Sequence, residues 1–170
     1  LNDDGEKLPK NEVGQIAVRG KNVITHYLDP QPEAFFKDWL LTGDLGLIDD
    51  SGYLHIVGRS KEMIIRGGEN INPLAVEDCL SQVRFVKEIA VVGLPDKIYG
   101  EIVAAIIVPN FPTKDHRHIQ VLLNQMAKEE LLPVERPTKY FFVSELPKNA
   151  TGKIQRTLLA KRITEQLKEA

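Results

Sequence analysis

The chain has 170 residues, 42% of them hydrophobic and 27% charged. That is ordinary globular composition, long enough for one or two small cores, and it excludes collagen-like, low-complexity and strongly charged disordered classes. No apolar run approaches the ~18 residues a membrane span requires, and Cys79, the single cysteine, builds no intramolecular disulfide, zinc site or redox pair by itself. The N-terminal segment has no apolar signal core, so a cytoplasmic location is expected. The chain begins with Leu in what reads as mid-loop, which suggests a piece of a longer protein.

The net charge of −2 conceals two parts of opposite sign. Residues 1–60 carry 6 basic against 10 acidic side chains, and residues 61–170 carry 16 against 14. Lys148, Lys153, Arg156, Lys161 and Arg162 fall in a stretch, 148–164, without an acid. A local basic tract on an otherwise acidic protein points to a small anionic ligand more than to nucleic acid, which needs a wider basic field. Charge alone also fits a solvated basic helix at the end of a domain.

In chain order, residues 15–19 alternate and read as a strand closed by Gly20. A short amphipathic piece after the Asp29-Pro30-Gln31-Pro32 turn leads to Trp39, Leu40 and Leu41. Residues 45–48 and 53–57 are β-rich runs around Asp49-Asp50-Ser51-Gly52, a hairpin signal. From residue 61 the character changes. Residues 62–65 read as a short strand ended by Gly67-Gly68. Asn72 and Pro73 make a good N-cap and first helical position, and that helix runs to about Val83 with Leu74, Val76 and Leu80 inward. Residues 89–92 and 102–108 are continuous apolar runs, read as buried strands. A loop over 112–116, with Asp115 as candidate N-cap, precedes a helix over 119–132. Residues 139–143 form another strand and 156–168 the last helix. The expected fold is α+β: a β-rich segment over 1–60, then a compact module over 61–170, a short sheet with flanking helices, the boundary falling at Arg59–Lys61.

Three segments carry candidate chemistry. In Thr42-Gly43-Asp44 the glycine permits a tight turn that presents a carboxylate, suited to ribose hydroxyls. Taken alone, the motif reads sooner as an Asp capping a turn. In the segment 58–70, Arg59, Lys61 and Arg66 flank a strand that ends in paired glycines. Glycines permit close backbone approach to a ligand, and guanidinium groups suit phosphate; an ordinary strand and turn fit as well. In the segment 146–156, Lys153 follows Thr151-Gly152 on a Pro-bounded loop, a flexible lever suited to charge developing at phosphorus. The P-loop spacing fails there, which rejects a P-loop ATPase. The histidines 26, 55, 116 and 118 have no metal-ligand spacing.

Taken together, in this order and with these gaps, the three segments resemble the C-terminal part of the adenylate-forming superfamily. That superfamily contains acyl-CoA synthetases, luciferases and the adenylation domains of peptide synthetases. Residues 14–27 resemble a further family segment, with Gln15 in place of Glu and His26 in place of Gly. Asp96 to Glu101 is similar to the family's D-x-x-x-G-E step. The Pro147-Lys148-Asn149-Ala150-Thr151-Gly152-Lys153-Ile154-Gln155-Arg156 form is nearest to that of acyl-CoA synthetases, the fatty-acid–CoA ligases included.

The resemblance implies a two-step reaction. A carboxylate attacks the α-phosphorus of Mg-ATP to give acyl-AMP and pyrophosphate; the small domain then rotates, and the thiol of CoA attacks the acyl carbon and expels AMP. By the same resemblance Asp44 accepts from the ribose hydroxyls and Arg59 helps hold the ribose or phosphate. Lys153 bridges carboxylate and α-phosphate, and Lys61 is the hinge. Gly67, Gly68, Glu69 and Asn70 line the CoA passage, and Arg66, Lys128 and Arg136 are candidates for the CoA phosphates. The partners implied are a small carboxylic acid, ATP, CoA and the rest of the protein's own N-terminal domain. The phosphate loop, acyl pocket and Mg2+ site would lie upstream, so the chain alone is expected to be inactive. The alternatives are an amino-acid or aryl-acid adenylation enzyme that loads a carrier protein, and a non-catalytic binding module.

Overall fold

The computed structural model describes residues 1–2, 4–111 and 116–169. The chain folds as two compact units, the first from Leu1 to Lys61 and the second from Glu62 onward.

In the first unit, β1 (Gly14–Val18), β2 (Phe35–Phe36), β3 (Trp39–Ile48) and β4 (Leu54–Arg59) form a four-stranded antiparallel sheet built on β3. A single 3-10 turn, Pro32–Ala34, leads into β2. The Asp49–Gly52 hairpin forms as expected: Gly52 N donates to Asp49 O and Tyr53 N to Asp49 Oδ1. His55 Nε2 lies 2.7 Å from Asp49 Oδ2. These contacts hold the Asp49 carboxyl below its ordinary pKa, His55 contributing most and the Tyr53 amide next.

β3 corrects one expectation. Thr42-Gly43-Asp44 is a bulge inside a long strand, not a tight turn between elements. Between the pairs Gln15↔Leu45 and Ala17↔Leu41, β3 carries extra residues, and Gly43 absorbs them at φ 77. That left-handed conformation is open mainly to glycine. Thr42 Oγ1 locks the bulge, donating to Ile16 O at 3.0 Å and accepting from Asp44 N at 3.1 Å. Among the described residues of this unit no hydrophobic side chain is fully buried, and Tyr53, Leu54 and Ile56 are each more than half exposed.

The second unit is a sheet between helices. After the 3-10 turn Ser60–Glu62 come β5 (Ile64–Arg66), β6 (Glu69–Ile71), α1 (Pro73–Ser81), β7 (Val86–Asp96), β8 (Gly100–Pro109), α2 (Arg117–Glu130), β9 (Lys139–Phe142) and α3 (Arg156–Glu169). β7 and β8 pair along their whole length, while β5 and, in parallel, β9 take the other edge of β8. The continuous apolar runs follow from burial of both faces. Val91, Val103, Ala105 and Ile107 pack under α1 and α2 against Val76, Leu80, Ile119 and Leu123. Their neighbours in sequence, Ala90, Val92, Ala104 and Ile106, pack on the opposite face against Leu159 and Ile163 of α3.

Several local expectations shift. Glu62 lies in the 3-10 turn, so the strand begins at Ile64 and not at residue 62. Leu74 is only half-buried. The glycine pair leads into a further strand, β6, before the helix. Asn72 caps α1 as expected, accepting from Leu74 N at 3.1 Å. The proposed Asp115 cap, with most of its loop, lies outside the described residues.

Candidate functional site

Asp44 and Arg59 face each other across β3 and β4 as register partners. Arg59 Nε donates to Asp44 Oδ1 at 2.9 Å, with both side chains still partly open to solvent. One guanidinium edge thus orients the carboxylate, and its second oxygen keeps lone pairs for hydroxyl donors. The strand pairing brings together two residues that are 15 positions apart in sequence.

Gly67 and Gly68 form the two-residue turn between β5 and β6, at φ 61 and 90. Positive φ at both positions defines a type I′ hairpin turn, for which Gly-Gly is favoured. Gly67 N donates to Tyr99 O at 2.8 Å, and nothing approaches the position a Cβ would take at Gly68. Glu69 and Asn70 follow on the exposed strand.

Beside this hairpin Arg66 reaches the Arg136 carbonyl and Arg136 reaches that of Lys128, so both guanidinium groups spend donors on backbone. Arg66 donates to Val134 O at 2.7 Å and stacks over Tyr99 at 5.3 Å. Arg136 donates to Leu131 O and Lys128 O at the C-terminal end of α2, a favourable place for a cation. The Lys128 side chain is exposed.

The Asp96–Glu101 segment is the β7–β8 turn. Asp96 Oδ1 accepts from Ile98 N and Tyr99 N, both at 2.9 Å, and these bonds lower its pKa, the Tyr99 amide contributing most. Gly100 sits at φ 76. Glu101 accepts from Ile65 N at 2.8 Å and so ties the turn to β5.

The Lys153 segment corrects a second expectation, because its backbone is braced and no flexible lever. Asn149 Oδ1 accepts from Thr151 N, Thr151 Oγ1 and Lys153 N. Lys148 and Ile154 bridge, Gln155 N donates to Pro147 O at 2.9 Å, and Gly152 turns at φ 82. The Lys153 side chain is exposed, and its ammonium makes no hydrogen bond or ion pair among the described residues. The basic tract is not uniformly free: Lys148 pairs with Glu88, and Arg156 is largely buried.

Glu77, on α1, escaped sequence reasoning. It is 8% exposed, and its carboxylate accepts from Val91 N at 2.7 Å and from Arg156 Nη2 at 2.8 Å. Arg156 also donates to Glu62 Oε2 at 3.1 Å. Burial pushes the Glu77 carboxyl above the ordinary glutamate value despite these partners.

The first unit thus holds an Asp–Arg ion pair, and the second a braced turn with an exposed lysine and a Gly-Gly hairpin. Residues 75–153 match the family of AMP-binding enzyme C-terminal domains. The chain belongs to the adenylate-forming superfamily and corresponds to the C-terminal portion of its members. It is 40% identical over 164 residues to the sulfoacetate–CoA ligase of Cupriavidus necator, covering 94% of this chain and 31% of that protein. It is equally 40% identical over 161 residues to the indoleacetate–CoA ligase of Aromatoleum aromaticum, covering 92% and 31%. The crystal structure of ATP-bound MatB from Rhodopseudomonas palustris superimposes with a TM-score of 0.86 at 32% identity, over 96% of this chain and 33% of that one. The chain spans about a third of the length of the relatives it matches.

Proposed function

We propose that this chain is the nucleotide-closing and thioester-directing third of an ATP-dependent acid–CoA ligase. The observation that carries the proposal is the braced turn from Lys148 to Ile154, which holds out to solvent a lysine with no ion-pair partner among the described residues. Lys153 then places its positive charge between the substrate carboxylate and the α-phosphate. Negative charge builds there as the carboxylate oxygen bonds to phosphorus and pyrophosphate departs. Asp44, oriented by Arg59, accepts from the ribose hydroxyls. In the second step the thiolate sulfur bonds to the acyl carbon and AMP leaves. The Gly67-Gly68 hairpin gives the pantetheine arm a path without side chains, Glu69 and Asn70 flank it, and Arg66, Lys128 and Arg136 meet the CoA phosphates. Lys61 is the hinge between the two steps. Mg2+ accompanies ATP, held by groups outside this chain.

The first unit supports the same proposal. A sheet in which no hydrophobic side chain of the described residues is fully buried is completed by further protein, here the remainder of a large domain. The 170-residue chain is therefore expected to be inactive alone. The two CoA ligase relatives favour free CoA over a carrier protein as acceptor. They take different acids, in keeping with an acyl pocket outside this chain. A cytoplasmic enzyme fits these substrates, and no helix among the described residues is long and apolar enough to cross a membrane.

The test uses the full-length ligase and a panel of aliphatic and aryl carboxylates. Acid-dependent pyrophosphate release followed by CoA-dependent AMP release is expected for at least one acid, and from none with the 170-residue chain. Lys153→Ala should abolish pyrophosphate release while thioester formation from supplied acyl-AMP survives. Equal loss of both half-reactions would remove the role given to Lys153.

A further inference from the structure

Arg156 stands where three separate pieces of the second unit meet. It opens α3, three residues after Lys153. Its guanidinium grips Glu77 of α1 through Nε at 3.2 Å and Nη2 at 3.0 and 2.8 Å. Its remaining arm, Nη1, donates to Glu62 at 3.1 Å, and Glu62 is the residue directly after Lys61. Glu77 in turn accepts from Val91 N on β7. The fork is largely buried, with 14% of the Arg156 side chain exposed against 11% for Glu77 and 23% for Glu62. At the other end of the Lys153 turn, Lys148 pairs with Glu88, also on β7. The turn is therefore fastened on both sides to one strand, and on the Arg156 side also to the residue that follows the hinge.

Resting on the role proposed for Lys153, we infer that Arg156 is a positioning residue for adenylation. It transmits the setting of the chain at residue 62 to the loop that carries Lys153. A helix and a loop packed only through apolar contacts can slide. A guanidinium held by two carboxylates in a fixed fork geometry resists sliding, and placement errors near 1 Å at a reacting centre lower rates by about a hundredfold. Arg156 itself touches no reacting atom. Its neighbours are Glu62, Glu77 and, through Glu77, the β7 backbone. Lysine keeps the charge but offers its donors from one nitrogen, without the planar fork that spans Glu62 and Glu77.

This separates positioning from mere stabilisation. Lys153 acts only in the first half-reaction, so a loosened turn slows that half alone, whereas a damaged fold slows both. Arg156→Lys and Glu62→Gln are made in the full-length ligase, with Lys153→Ala as comparator. The acid is whichever panel carboxylate the unsubstituted enzyme turns over fastest. Arg156→Lys is expected to lower the rate of pyrophosphate release about tenfold or more with ATP KM nearly unchanged. Thioester formation from supplied acyl-AMP should stay within about twofold. Glu62→Gln, at a more exposed position, should shift the same ratio in the same direction by less, and the double variant should fall short of the product of the two effects, because the residues act as a unit. Parallel loss of both half-reactions in Arg156→Lys and Glu62→Gln, or no loss in either, overturns the inference. If Lys153→Ala is selective for adenylation and Arg156→Lys is not, only the positioning role fails. If Lys153→Ala is itself unselective, both roles fall.

Discussion

Asn149 and Lys153 hold each other twice. Lys153 N donates to Asn149 Oδ1 at 2.9 Å, and Asn149 N donates to Lys153 O, also at 2.9 Å. The closed ring so formed sets the backbone from which the lysine side chain departs, and Thr151 donates to the same carboxamide oxygen through both its amide and its hydroxyl.

Removing that carboxamide should therefore reach the chemistry before it reaches stability. Asn149→Ala in the full-length ligase is expected to lower acid-dependent pyrophosphate release by roughly ten- to a hundredfold. The three donors that lose Asn149 Oδ1 are exposed, so water can replace it, and the melting temperature should move by only a few degrees. Stopped-flow pyrophosphate detection beside calorimetry checks both. A large drop in melting temperature with unchanged kinetics would contradict the assignment.

Glu77→Ala carries the opposite expectation. It leaves the largely buried Arg156 guanidinium without its main partner and Val91 N–H without an acceptor, and breaking one side of a buried ion pair costs about 3 kcal/mol or more. Urea unfolding of the 170-residue chain measures it. Burial raises the Glu77 pKa despite Arg156 and the Val91 amide, so these partners do not fully offset the desolvation of the carboxylate. The double replacement Glu77→Leu with Arg156→Met should accordingly regain more than half of the lost stability.

The β7–β8 turn predicts a pH response. Asp96 has its pKa lowered by the Tyr99 and Ile98 amides, so its charged form is favoured in the folded state. The stability it contributes is present above the ordinary aspartate range and is lost as pH falls through the lowered folded value. Amide shifts of Ile98 and Tyr99 followed by NMR during acidification should titrate together, with a midpoint below that of an unstructured aspartate. A midpoint at or above the ordinary value would refute the bonding seen here.

Tyr140 buries its hydroxyl without a hydrogen-bond partner among the described residues, and burial pushes its pKa up to about 12. Tyr140→Phe removes an unsatisfied polar atom and keeps the ring in the core. The expected result in urea is neutral to about 1 kcal/mol more stable. A loss of that size would reveal a partner for the hydroxyl.

Much of the second unit was legible in the sequence because its strands are buried on both faces. The runs 89–92 and 102–108 have no polar alternation to confuse the reading, and Asn72-Pro73 names a helix start in two residues. β6 was missed because it is three residues long, follows a glycine pair, and buries only Ile71. β3 was cut short because Gly43 looks like the end of a strand when read locally; its bulge exists only through the pairing with β1. Asp44 and Arg59 stood out as residue types, yet their mutual ion pair depends on strand register. Glu77 resembled any surface carboxylate in a helix, since what allows its burial is Arg156, 79 positions further on.

The amide of Val91 has one more consequence. β7 is the outermost strand on its side of the sheet, where unsatisfied backbone donors would invite a strand from another molecule to add on. Glu77 occupies that donor. A foreign strand would have to dislodge a carboxylate that is itself chained to Arg156. The buried carboxylate of Glu77 thus closes one donor on an open edge of the sheet and blunts that edge against strand addition.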